Sequence, residues 1–269
     1  MTDQAVPRRA AERVQPAPFP TSRWAGLAWR QYRLERRMFW RNPSAAFFNF
    51  LLPLFFLAMF GAIFAGEQAD LDVIVPGIAG MAVMSTTFTA IAMNLTFLRE
   101  QGILKRVRGT PMPSSAYLTA LAGNAVTNTA LQVIIITVAG RVFFDTGWPK
   151  DWLSLACFIV LGAATFAALG VALSHLIPNF ESAPAYVNAV FLPVIMISGV
   201  FYDAEDAPQF LHTIAEGLPL KHLVDGLSGA MVKGVGVGGH WGAVLALALW
   251  GAAGAVLAVR GFSWDTRRA

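Results

Sequence analysis

The sequence predicts an all-α integral membrane protein that crosses a bilayer six times. Three observations carry this: 56% hydrophobic against 13% charged residues, a mean hydropathy of +0.55, and six apolar runs separated by the Lys and Arg residues. A soluble domain carries about a quarter charged residues and has no need of uncharged stretches of about 20 residues. The surplus of four positive charges and the pI of 9.6 do not point to nucleic acid, because the basic residues flank apolar spans.

The runs are Ser44 to Ala65, Val73 to Leu98, Ser115 to Gly140, Trp152 to Ile177, Ser182 to Tyr202 and Trp241 to Val259. Each is long enough for a ~30 Å hydrocarbon core at about 1.5 Å per residue. Trp40, Trp148, Trp152, Tyr202 and Trp241 stand at their ends, where an interfacial aromatic belt belongs. Only helices satisfy their backbone groups within one span beside lipid, apart from closed barrels. With the N-terminus inside, sixteen Lys and Arg fall on the cytoplasmic side and four outside, which predicts cytoplasmic termini in the cell (inner) membrane. The outer loops are acidic: Glu67, Asp70, Asp72, Asp203, Glu205, Asp206 and Glu216.

Residues 1–22, with Pro7, Pro16, Pro18 and Pro20, read as a flexible tail and not a signal peptide. The transmembrane domain is expected over 23–260, and 261–269 as a second tail. As a helix, Arg23 to Arg41 places Trp24, Leu27, Ala28, Gln31, Leu34 and Met38 on one face and Arg30, Arg33 and Arg37 on another. That pattern suits an amphipathic segment in the cytoplasmic interface, its arginines near anionic headgroups; a plain positive-inside flank is the simpler alternative. The one cysteine, Cys157, lies inside the fourth span and reads as a small apolar filler.

Chemistry is sparse. The sequence has no phosphate-loop, HExxH, paired-cysteine or GxSxG motif, so no catalytic or metal-ligating residue is assigned. His175, His212, His222 and His240 are scattered; Lys221, His222 and Asp225 share a helical turn, but without ligand spacing they read as a solvated outer loop. Inside the third span, Asn124, Asn128 and Gln132 recur every four residues beside Thr127 and Thr129. Unpaired amides facing lipid are costly, so this stripe should face protein or a wet cavity. Interhelical hydrogen bonding and the lining of a substrate path both fit. The loop from Arg99 to Pro113 pairs Ile103, Leu104 and Val107 with Lys105, Arg106 and Arg108, and closes on Gly109 and Pro111. An apolar cluster in such a loop implies contact with a protein partner or the membrane surface.

Four segments carry a family resemblance. RNPSAAFFNFLLPLFFLAMFG (41–61), REQGILKRVRGTPMP (99–113), LPVIMISGVF (192–201) and LPLKHLVDGL (218–227), in this order around six spans, resemble ABC-2 type exporter permeases, the membrane subunits of daunorubicin-resistance-like transporters. The likeness extends over roughly Trp24 to Arg260; Ser228 departs from it, since relatives often have Arg there. The resemblance implies an exporter half for an amphiphilic drug, lipid or glycolipid, with a bearing on antibiotic resistance. A second permease, identical or related, would complete the path. Two copies of a separate ATP-binding subunit would hold ATP and Mg, with no cofactor on this chain. It makes 23–41 the interfacial connecting helix and Arg99, Glu100, Ile103, Leu104, Lys105, Arg106, Val107 and Arg108 the loop that couples to the ATPase. Short outer helices, broken at Pro219, are expected over 206–233, and Pro193 and Gly199 should make span five irregular. Asn124, Asn128, Gln132, Asn188 and Phe191 are the candidate path residues. Membrane lipids are expected partners and nucleic acid is not. A lipid-modifying membrane enzyme and a passive channel are the rival readings.

Overall fold

The computed structural model describes residues 21–64, 66–110, 112–202 and 208–261, with the side chains of 21, 22, 45, 48, 107, 108, 114 and 261 left out of that description. The tails expected over 1–22 and 261–269 therefore fall almost wholly outside the described residues, as do Asp203, Glu205 and Asp206.

Among the described residues every regular element is a helix. In order the chain forms α1 (Thr21–Arg41), α2 (Pro43–Ile63), α3 (Gln68–Met84), a π-helical turn (Ser85–Thr89), α4 (Ala90–Glu100), α5 (Ile103–Arg108) and α6 (Ser114–Phe144). Then come α7 (Trp152–Ser174), α8 (Ala183–Ile197), α9 (Gln209–Glu216), α10 (Pro219–Ser228), a second π turn (Gly229–Lys233), a 3-10 turn (Val237–Gly239) and α11 (Trp241–Gly261). Each expected span coincides with a helix. Four of them are long and apolar enough to cross a membrane: Gln68–Glu100, Ser115–Phe144, Trp152–Ser174 and Trp241–Arg260. The apolar segments Asn49–Ile63 and Ala183–Ile197 are shorter. In α8 the reason is local: Pro193 stands inside the helix, and the chain leaves it through Gly199 at φ 70°.

The bundle has a basic end, carrying α5 and the start of α6, and an acidic end, carrying Glu67, Asp70 and Asp72. Its centre is α3 and its continuation through the π turn, where Ile74 to Met84 are all buried. A helix apolar on every side is stable only when packed on every side, and α2, α6, α7 and α10 surround it. Two of the hydroxyls buried there bond back along their own helix, Thr87 to the Val83 carbonyl at 2.6 Å and Thr96 to the Ala92 carbonyl at 2.8 Å. Helix α11 lies against α7, where Gly251 and Gly254 bring the backbones close beside Thr165 and Leu169. The Thr165 hydroxyl donates across that seam to the Leu247 carbonyl at 2.9 Å.

The short helices before the last span do more than cap an exit. α10 is buried through Leu220, Leu223, Val224 and Leu227. Leu223 meets Gly162, where a Cβ would lie 2.6 Å from its side chain, and Val224 meets Gly80. Gly162 is ten residues into α7, about 15 Å from that helix's acidic end at 1.5 Å per residue. Trp250 donates to the Gly217 carbonyl at 3.2 Å, so the turn between α9 and α10 is held against the middle of α11. The two helices form a hairpin that dips into the fold from the acidic end. Its return is anchored by the Ala230 carbonyl, which accepts from the Lys150 and Asp151 amides at 3.1 and 3.0 Å.

One side-chain expectation is corrected: Cys157 is exposed on α7 and fills nothing within the chain. On α1, Leu34 and Met38 are exposed, and the side packed on the bundle runs through Leu27, Ala28, Gln31, Tyr32 and Glu35. That packing includes polar bonds to α6 that periodicity in apolar residues cannot register.

Candidate functional site

At the basic end, α5 is fixed to its own bundle before any partner is considered. Leu104, 2% exposed, packs with Ile91, Leu95, Tyr117, Leu121 and Val171 in a small second core. The apolar side of this helix is thus partly consumed inside the chain. Ile103, Lys105 and Arg106 are exposed, and the side chains of Val107 and Arg108 lie outside those described. The preceding residues tie the loop to the next one on the same end. Arg99, buried, donates to the Ile177 carbonyl at 2.5 Å, Glu100 accepts from the Phe180 amide at 2.5 Å, and Phe97 meets Phe180 edge to face at 5.2 Å. Two loops far apart in sequence thus form one surface.

The polar stripe of α6 is bonded to three neighbours. Arg36 of α1 donates to the Asn128 Oδ1, and the π-turn hydroxyl of Thr86 donates to the Gln132 Oε1. The Gln132 amide donates in turn to the Asn49 carbonyl of α2 at 2.8 Å. Beside them, Tyr32 and Thr127 hydroxyls lie 3.0 Å apart; Thr127 donates to the Gly123 carbonyl at 2.9 Å, which leaves the Tyr32 hydroxyl as donor of the pair. Asn124 Oδ1 is buried without a partner among the described residues. Asn188 and Phe191 are not brought to this stripe: Asn188 is exposed on α8, whose main neighbours are α4, the π turn and α9, while Phe191 packs on the central core.

Sequence reasoning missed Arg36, Tyr32, Thr86 and Asn49 as partners. One signal was available: Arg36 falls off the face shared by Arg30, Arg33 and Arg37, one helical turn after Tyr32. Together with Trp24, which donates to the Ser115 hydroxyl at 3.0 Å, these contacts run α1 alongside α6 in the same direction. Glu35 is closed into that seam, 6% exposed, with Gln31 donating to it at 2.8 Å. Burial holds its carboxyl above the ordinary carboxylate range, and the Gln31 bond offsets this only in part.

At the acidic end, Lys221 donates to both Asp225 oxygens at 2.6 Å beside a polar cavity of about 370 Å³ that Asp72, Tyr202 and His212 also line. His222 turns away to the Glu216 carbonyl at 2.8 Å, so the three residues that share a turn do not act as one site. Asp151 caps α7, accepting from the Leu153 and Ser154 amides at 3.1 and 3.0 Å. The bonds from Ser154 hold its carboxyl below the ordinary range. Among the described residues, no group of three or more His, Cys, Asp or Glu could hold a metal ion.

A core helix packed on all sides, apolar spans around it and a hairpin whose second arm, α10, is buried among them define a multi-pass helical membrane protein. The chain belongs to the ABC-2 type transporter family, whose profile matches residues 25–232. It is 29% identical to the daunorubicin resistance ABC transporter permease protein DrrB1 of Streptomyces coeruleorubidus, over 64% of this chain and 63% of that one. It is 25% identical to nodulation protein J of Rhizobium meliloti (strain 1021), over 87% and 92% of the two chains. It is also 27% identical to YvfS of Bacillus subtilis (strain 168), named as a transport permease, over 54% of this chain and 59% of that protein's length. Members of the family are membrane subunits of transporters and not enzymes.

Proposed function

We propose that this chain is the membrane-spanning half of an ATP-driven exporter, paired with a second permease and powered by two copies of a separate ATPase that binds ATP and Mg. The observation that carries the reading is α5: an exposed basic edge, Ile103, Lys105 and Arg106, on a helix whose opposite side is locked into the bundle through Leu104. A force applied to that edge reaches the spans directly, because Arg99 and Glu100 bind the 177–180 segment and Leu104 packs on α6 and α7. The family supports a partner ATPase, and the name of the Streptomyces relative supports a drug as cargo. Amphiphilic drugs, lipids and glycolipids all suit apolar walls. The sixteen-to-four division of Lys and Arg supports a cytoplasmic basic end, with α1 beside it presenting Arg30, Arg33 and Arg37 outward to headgroups. The bonds from Arg36, Thr86 and to Asn49 support interhelical anchoring as the work of Asn128 and Gln132, leaving Asn124 as the stripe member best suited to a substrate path.

The burial of Leu104 decides which variants test this. Leu104→Asp would put a carboxylate into the chain's own core and unfold the loop, whether or not a partner binds there. Ile103→Asp and Arg106→Glu change only the exposed edge. Both proteins should insert with unchanged thermal stability, lose most of the copurifying ATPase and stop exporting. Full ATPase recovery with normal export in the double variant would remove α5 from the coupling role.

A further inference from the structure

An apolar groove of about 600 Å³ runs between α7, α8 and α11, over a floor formed by Met84 and Phe88 at the π turn. Phe166 and Leu173 of α7, Val190 of α8 and Leu257 of α11 line it. Its two ends differ in kind. The deep end is closed by Leu218 and Pro219, the tip of the hairpin, beside Trp250, whose indole holds the Gly217 carbonyl. The other end opens at the basic end of the bundle beside Arg260, which is exposed and makes no ion pair among the described residues.

Length and lining select the occupant. From Trp250 to Arg260 is ten helical residues, about 15 Å, which is one leaflet of a hydrocarbon core about 30 Å thick. Over this length the walls are apolar, Phe166, Leu169 and Leu173 on one side and Val190, Val194 and Leu257 on the other, which suits a hydrocarbon chain that ends in a polar head at the mouth. The guanidinium at the mouth lies where a lipid carries its phosphate, and arginine pairs with phosphate through two parallel hydrogen bonds.

We propose that this groove is a binding site for one acyl chain of an anionic phospholipid from the leaflet at the basic end, with its headgroup held at Arg260 and its chain ending against the hairpin tip. The site rests on the membrane placement of the bundle and not on the exporter reading, and it would persist in a chain that transported nothing.

Trp250 makes the proposal measurable. The purified chain would be reconstituted in phosphatidylcholine vesicles containing rising fractions of brominated-chain phosphatidylglycerol or of phosphatidylcholine with the same brominated chains. The signal of Trp250 is the difference between wild type and Trp250→Phe. Phosphatidylglycerol should quench it at roughly fivefold lower mole fraction, which is what about 1 kcal/mol per cationic side chain near an anionic surface amounts to. Arg260→Gln should make the two lipids equal. Ala172→Phe, which narrows the groove, should weaken quenching by both without changing thermal stability. Equal quenching in the wild type would reduce the groove to ordinary lipid contact, and a preference that survives Arg260→Gln would place the headgroup elsewhere. Absence of Trp250 quenching by either lipid would empty the groove of chains.

Discussion

Glu35 is a carboxyl closed between α1 and α6 with one amide donor, from Gln31. Burial raises its pKa, so its folded value lies above its unfolded one and protonation favours the folded state. Its contribution is fully present below the ordinary carboxylate pKa and is lost as pH rises through the raised folded value. Thermal unfolding in detergent should therefore show a lower Tm at pH 8 than at mildly acidic pH. Glu35→Gln should raise the Tm at pH 8 and flatten this dependence; a slope identical to wild type would assign it to other groups. The same seam marks where single residues escape a sequence reading. Leu104 reads as a docking residue because its loop is short, yet it packs under α6 and α7, a long-range contact without local signature. Arg36 reads as one more flanking charge until the structure sets it on Asn128.

At the scale of elements, the apolar spans were legible because hydropathy and length report burial in lipid directly. The hairpin was legible only as two short helices: its depth depends on glycines of other elements. Gly80 faces the Val224 side chain of the hairpin, and Gly77 faces the Val200 backbone carbonyl in the segment after α8. A backbone carbonyl cannot step aside, whereas a valine methyl can shift. Gly77→Ala should destabilise by about 1–3 kcal/mol, as overpacking does, and Gly80→Ala by less, measured by thermal unfolding of the purified protein. Equal effects would mean the backbone at Val200 yields as readily as the Val224 side chain. The α1–α6 seam offers a companion test. Asn128→Leu removes a bond worth about 1 kcal/mol and leaves Arg36 without its acceptor. It should lower Tm and, with Asn128 acting as an anchor, leave the substrate profile of the surviving protein unchanged.

For the molecule as a whole, the open question of geometry is whether α8 completes a crossing. Its 15 residues reach about 22 Å, short of a ~30 Å core. The rest of the path is non-helical, through Ser198, Gly199 and Val200, and all three are buried by neighbouring helices. Irregular backbone is tolerated at membrane depth only where protein covers it, and here Gly77 gives Val200 that cover. The chain should therefore cross six times, with Glu67 and Gln209 on one side and Gln101 on the other. In a Cys157→Ser background, cysteines at Glu67 and Gln209 should react with an impermeant thiol reagent in intact cells. One at Gln101 should react only after permeabilisation, because positive charge collects on the cytoplasmic side. Glu67 and Gln209 labelling from opposite sides would leave α8 as a segment that enters and does not cross. The hairpin contacts to α3 and α11 argue against that outcome. They pack α10 onto Gly80, and Gly217 onto Trp250, from the end that carries Glu67, and a non-crossing α8 would have to deliver α9 to the wrong end of the bundle.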